Sequence, residues 1–80
     1  MSSVQERIWA LIEQERKFQD EKFGAQHGHS DELWLVILTE ELGEVAREVY
    51  DNTTTLLKKE LIQVAAVAVA WLEALDKRQI

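Results

Sequence analysis

From Leu61 to Leu72 every residue except Gln63 is apolar. Read as a helix, this segment is apolar on all sides, and a helix apolar all round is buried all round. In a chain of 80 residues, two further helices can cover it only in part. The remaining surface is expected to meet another subunit, most simply a second copy across a two-fold axis. The longest unbroken apolar stretch, Val64 to Leu72, is too short to span a bilayer.

Eighty residues allow one domain, and a monomer of that size buries only about 60% of its unfolded surface. The absence of cysteine removes a disulfide framework, a thiolate zinc site and a cysteine nucleophile together. With no proline and three glycines, the chain reads neither as a linker nor as a turn-rich β fold. A net charge of −6 disfavours attachment to nucleic acid or to an anionic membrane. The opening Met-Ser-Ser-Val-Gln-Glu-Arg lacks the basic-then-apolar pattern of a secretory signal, so a cytoplasmic protein is expected.

Three helices follow from caps and periodicity. Ser3 with Glu6 forms a capping-box pattern. Val4, Ile8, Leu11, Ile12 and Phe18 then recur at helical spacing, which predicts a helix over about 3–22. The polar stretch from Gly24 to Ser30 holds two glycines and reads as a loop. Ser30 followed by Asp31 and Glu32 is a helix start. The second helix is expected over about 31–51, with Trp34, Leu38, Leu42, Val45 and Val49 as one apolar stripe. Asp51 to Thr54 breaks it, and the third helix runs over about 55–77. The expected fold is an all-α bundle of three main helices per chain, completed by oligomerisation.

One carboxylate of the second helix presses against that stripe. With its centre between Leu38, Leu42 and Val49, Glu41 lies about 70° away, Glu48 about 90°, Glu44 about 130°, and Glu40 nearly opposite. Glu41 therefore borders the core, with Glu44 one turn further on the same side. Glu60 opens the apolar helix, with Gln63 one turn later on its face. An unpaired carboxylate leading into a buried face is costly, so it must be paired, neutralised or bound to metal. Lys58 and Lys59 are too close in sequence to sit across from it. Acidic groups at i,i+3 on two packed helices would make an oxygen-lined pocket, and such ligands suit Mg²⁺ or Mn²⁺. Ordinary surface pairing of Glu44 with neighbouring charges is the plainer alternative.

Glu40-Glu41-x-x-Glu44, then fifteen residues, then Glu60-x-x-Gln63, resembles the motif of the MazG-like all-α nucleoside triphosphate pyrophosphohydrolases. The likeness extends over about residues 15–75, including Asp20-Glu21-Lys22-Phe23-Gly24, Leu38 to Val45 and Glu60 to Ala68. It implies a helical dimer or tetramer that uses Mg²⁺. It also implies hydrolysis of the α–β bond of a (deoxy)nucleoside triphosphate, giving a monophosphate and pyrophosphate. Glu41, Glu44 and Glu60 match the family's metal-ligand positions, and Glu40 matches its first glutamate. Gln63 stands where the family has aspartate. It leaves three charged ligands rather than four, with Gln63 as a weak ligand or a holder of water.

An acidic protein and a triphosphate are compatible when metal ions bridge them. Either Glu40 or Glu44 would take the proton of the attacking water. Lys22 is the first candidate for a phosphate cation, with Lys17 and Arg47 behind it. Phe23 and Trp34 flank the loop and are the candidate surfaces for a nucleobase, ahead of Trp9, Phe18 and Trp71. His27-Gly28-His29 is expected to be a solvent-exposed pair rather than a zinc site. Two other readings compete: a catalytically silent acidic dimerisation or nucleotide-binding module, favoured by Gln63, and a di-iron bundle, disfavoured by the absence of Glu-x-x-His.

Overall fold

The computed structural model describes residues 3–24 and 28–78. It holds three helices: α1 (Val4–Phe23), α2 (Asp31–Tyr50) and α3 (Thr54–Arg78). Their ends follow from local chemistry. Ser3 Oγ accepts from the Glu6 amide (3.1 Å), and the Ser3 amide donates back to Glu6 Oε1 (3.2 Å), closing the capping box. Gly24 ends α1 at φ +76° while its N–H donates to the Asp20 carbonyl. A side chain there would be strained. Ser30 Oγ caps α2 by accepting from the Leu33 amide.

The turn after α2 closes through backbone groups. Asn52 sits at φ 58°. Its N–H donates to the Val49 carbonyl and that of Thr53 to the Glu48 carbonyl. This is the Schellman pattern, with asparagine as the left-handed residue.

Helix α3 is the centre of the molecule. Helices α1 and α2 each pack on it, and their backbones do not approach one another. Arg78 and the Trp71 indole both donate to Asp31 (2.8 and 2.9 Å), and Arg78 also reaches the His29 carbonyl (2.8 Å). The start of α2 is thereby tied to the end of α3, so the two run antiparallel. On α1, the Arg16 side chain is almost covered and donates to Glu73 (2.6 Å) and Asp20 (3.0 Å). No helix among the described residues is long and apolar enough to cross a membrane.

The molecule measures 41 × 34 × 20 Å, so its short dimension is about two helix diameters. The buried core among the described residues is correspondingly thin: Ile12, Trp34, Ala66, Val67, Ala70 and Ala74. Helix α3 is buried or half-buried at every residue from 62 to 71, while Leu61 and Leu72 remain 49% and 64% exposed.

The apolar stripe of α2 also departs from expectation. Trp34 is fully buried, whereas Leu42 and Val49 are 56% and 60% exposed. The side turned to α3 carries Trp34, Ile37, Leu38, Glu41, Val45 and Glu48, all buried or half-buried. Relative to the expected centre, that side is turned by roughly 70°. Glu41 therefore sits in the middle of the helix contact instead of at its border.

Candidate functional site

The antiparallel run of α2 and α3 sets Glu41 and Glu44 level with Glu60. One carboxylate oxygen from each lies within 4.8 Å of the others. Glu41 and Glu60 are half-buried, while Glu44 is exposed. None of the ion pairs among the described residues involves any of the three.

Burial pushes the Glu41 carboxyl above the ordinary glutamate value, and the charges of Glu44, Glu15 and Glu40 push it further. Glu60 is raised in the same way, first by burial, then by a hydrogen bond with the Glu44 carboxyl. The charges of Glu44, Glu41 and Glu48 add to the shift at Glu60. A divalent cation relieves this stress directly, and three closely spaced hard oxygen donors fit Mg²⁺ or Mn²⁺.

Gln63 is part of the cluster. In the amide orientation that satisfies both of its ends, its nitrogen donates to Glu60 Oε2 (2.8 Å) and Glu41 Oε2 (3.3 Å). In the metal-free site it therefore acts as a donor bridging two acids rather than as an oxygen ligand. Glu40 lies outside the three-acid group. It is exposed and acts on the site only through its charge on Glu41.

Phe23 and Trp34 do come together. With Gln19, Ile37, Val67 and Glu41 of the three-acid group they line a cavity of about 260 Å³, floored by α3 and walled by α1 and α2. The polar groups of Gln19 are engaged, since its amide nitrogen donates to Glu15 and its oxygen accepts from Arg16. The Trp34 indole nitrogen is buried without a partner among the described residues, and the His29 ring packs on the indole at 5.0 Å.

The expected phosphate cations are placed less favourably. Lys17 pairs with Glu13 across one exposed turn at 3.6 Å. Lys22 lies over the rings of Phe18 (5.7 Å) and Phe23 (5.1 Å), a cation–π arrangement. Arg47 is exposed. His27 lies outside the described residues. Trp71 is occupied by its bond to Asp31.

Sequence reasoning missed two groups. Glu48 and Glu15 act on the cluster from α2 and α1. Their signal was weak, because each is an ordinary glutamate of an acidic helix. The second group is Lys58 and Lys59. They line a cavity of about 530 Å³ between α1 and α3, together with Leu11, Gln14, Glu15, Phe18, Thr55 and Ile62. The adjacent lysines were visible in the sequence; the wall opposite them was not.

No family model, no curated protein and no solved structure matches this chain.

Proposed function

We propose that this chain is a Mg²⁺-dependent nucleoside triphosphate pyrophosphohydrolase. It would cleave a (deoxy)nucleoside triphosphate to monophosphate and pyrophosphate and serve to clear unwanted nucleotides from the cytoplasmic pool. The observation that carries the reading is the convergence of Glu41, Glu44 and Glu60 within 4.8 Å, with no ion pair to any of them among the described residues. These are the positions at which the sequence resembles the MazG-like motif.

Mg²⁺ bound there would neutralise phosphate oxygens and acidify a water. The chain's own residues supply the rest. Glu41 and Glu60 are held in place by the helix contact and by the donor amide of Gln63. Glu44, the exposed member, faces solvent and takes the proton of the attacking water. Glu40 stands off the cluster and fits that role less well. The water oxygen bonds to the α-phosphorus, the bond to the bridging oxygen breaks, and pyrophosphate leaves with the electron pair. The Phe23–Trp34 cavity beside Glu41 supplies flat apolar walls for the base.

The reading includes a homodimer, from which a tetramer can be built. Leu35, Leu42 and Val49 of α2 and Leu61 and Leu72 of α3 stay exposed. An apolar surface of that extent on a domain with so thin a core marks an interface. Two copies joined through it would complete a four-helix core.

The test is product analysis of a panel of ribo- and deoxyribonucleoside triphosphates with Mg²⁺ and with chelator. Monophosphate plus pyrophosphate, abolished by chelator and by Glu60→Ala, is the expected result. Diphosphate plus phosphate would refute the assignment of the bond. Absence of turnover throughout would favour the second reading, a silent nucleotide-binding or dimerisation module. The specific observation on that side is Gln63, which bridges two acids where the resembling motif has a fourth carboxylate.

A further inference from the structure

The chain carries a net charge of −6, yet one groove runs against it. Lys58 and Lys59 both line the 530 Å³ cavity between α1 and α3, and neither forms an ion pair among the described residues. The groove continues past Leu11, Gln14 and Lys58 into a second cavity of about 350 Å³ that Arg7 also lines. The only acid on its walls among the described residues is Glu15. Two uncommitted ammonium groups on an acidic protein, with the neutral polar groups of Gln14 and Thr55 beside them, present a local field for an anion.

The position of the groove selects the anion. Lys59 directly precedes the ligand residue Glu60, and Ile62 of the groove directly precedes Gln63. The cavity and the three-acid cluster thus share the same two turns of α3, on sides about 100° apart around the helix. Glu15 marks their boundary, because it lines the groove and also repels Glu41.

We propose that Lys58 and Lys59 seat the outer phosphates of the triphosphate whose inner phosphate lies at Glu41, Glu44 and Glu60. The assignment rests on the function proposed above. It gives the phosphate-binding role to these two residues instead of Lys17 and Lys22, whose charges are engaged elsewhere. Both lysines are exposed, so replacing them leaves the helix packing intact.

The experiment compares wild type, Lys58→Ala/Lys59→Ala and Lys58→Arg/Lys59→Arg. The alanine pair is expected to raise KM for the triphosphate roughly tenfold, as loss of charge-assisted bonds does, with kcat little changed. Arginine restores KM. Inhibition by pyrophosphate weakens in the alanine pair, whereas inhibition by the monophosphate is unchanged, a split that a general structural defect would not give. Mn²⁺ binding followed by electron paramagnetic resonance stays at the wild-type level. An unchanged KM and unchanged pyrophosphate inhibition would overturn the lysine assignment and leave the enzyme reading intact. If wild type turns nothing over, calorimetric binding of Mg²⁺-tripolyphosphate decides. Binding lost in the alanine pair upholds the groove while the hydrolase reading falls, and equal binding by both proteins overturns the groove.

Discussion

Gln63→Asp is the most informative single change, because it restores the acid of the resembling motif at a position whose surroundings are known. In the metal-free protein the Gln63 amide donates to Glu60 at 2.8 Å and to Glu41 at 3.3 Å. Bonds to charged acceptors contribute about 1.5–3 kcal/mol each, and at a half-buried site the lower end applies, so the pair contributes about 3 kcal/mol. Aspartate removes both and adds like-charge repulsion. At about 4 Å and an effective dielectric of 20 each contact is worth about 4 kcal/mol. Solvent at Glu44's open side screens this. Proton uptake also limits it, since holding an aspartic acid neutral at pH 7 costs about 4 kcal/mol. The variant in chelator should therefore be less stable than wild type by about 3–5 kcal/mol. Saturating Mg²⁺ should stabilise the variant more than wild type, because the fourth carboxylate becomes a ligand. For scale, metal at a hundredfold over its Kd adds about 2.7 kcal/mol. Urea unfolding of both proteins, with chelator and with Mg²⁺, measures all four values. Equal midpoints in chelator would refute the bridging role of Gln63, and the absence of any stabilisation by Mg²⁺ in both proteins would refute the cation site.

Other outcomes follow from the same structure. Glu41 and Glu60 are raised above the ordinary value of 4.5 when folded. Their folded forms hold protons more tightly than their unfolded forms, so in chelator this contribution is present below pH 4.5 and is lost as pH rises through the folded values. Glu41→Gln/Glu60→Gln should flatten that part of the stability profile. Asp31 is lowered, by its bonds from Trp71 and then Arg78. Its contribution has the opposite sign, being lost as pH falls below the ordinary aspartate range, and Asp31→Asn should remove it. Leu42→Glu with Val49→Glu should convert the proposed dimer to monomer in sedimentation equilibrium, and an unchanged mass would exclude that face. Arg16→Met should loosen α1 by about 1 kcal/mol, read as faster amide exchange confined to that helix.

Local features were legible in the sequence. The capping box at Ser3 and Glu6, the stop at Gly24 and the start at Ser30 depend on residues within one turn of each other. The acids Glu41, Glu44 and Glu60 were also found, since their spacing on two antiparallel helices forces them level. The rotation of α2 was not legible. Its stripe through Leu42 and Val49 is real, but it faces outward, and the side turned to α3 carries Glu41 and Glu48. Periodicity shows that a helix has an apolar side; it does not say which neighbour takes it. The roles of Glu15, Lys58 and Lys59 were hidden for a related reason. Each depends on where α1 crosses α3, which no spacing within either helix encodes.

The antiparallel pair α2–α3 is closed at both ends. At one end a three-residue turn is locked by the bonds of Asn52 and Thr53. At the other, Asp31, Trp71 and Arg78 form a latch. Helix α1 shows no matching closure at its ends among the described residues, and its first turns, residues 4–10, are exposed throughout. The hairpin is thus one cooperative unit and α1 a second, weaker one. Contacts within the hairpin are close in sequence, so it should form early in folding, with α1 docking afterwards. Most of the cluster is therefore built before the groove between α1 and α3 exists. Opening of α1 would dissolve the groove while leaving Glu41, Glu44 and Glu60 assembled.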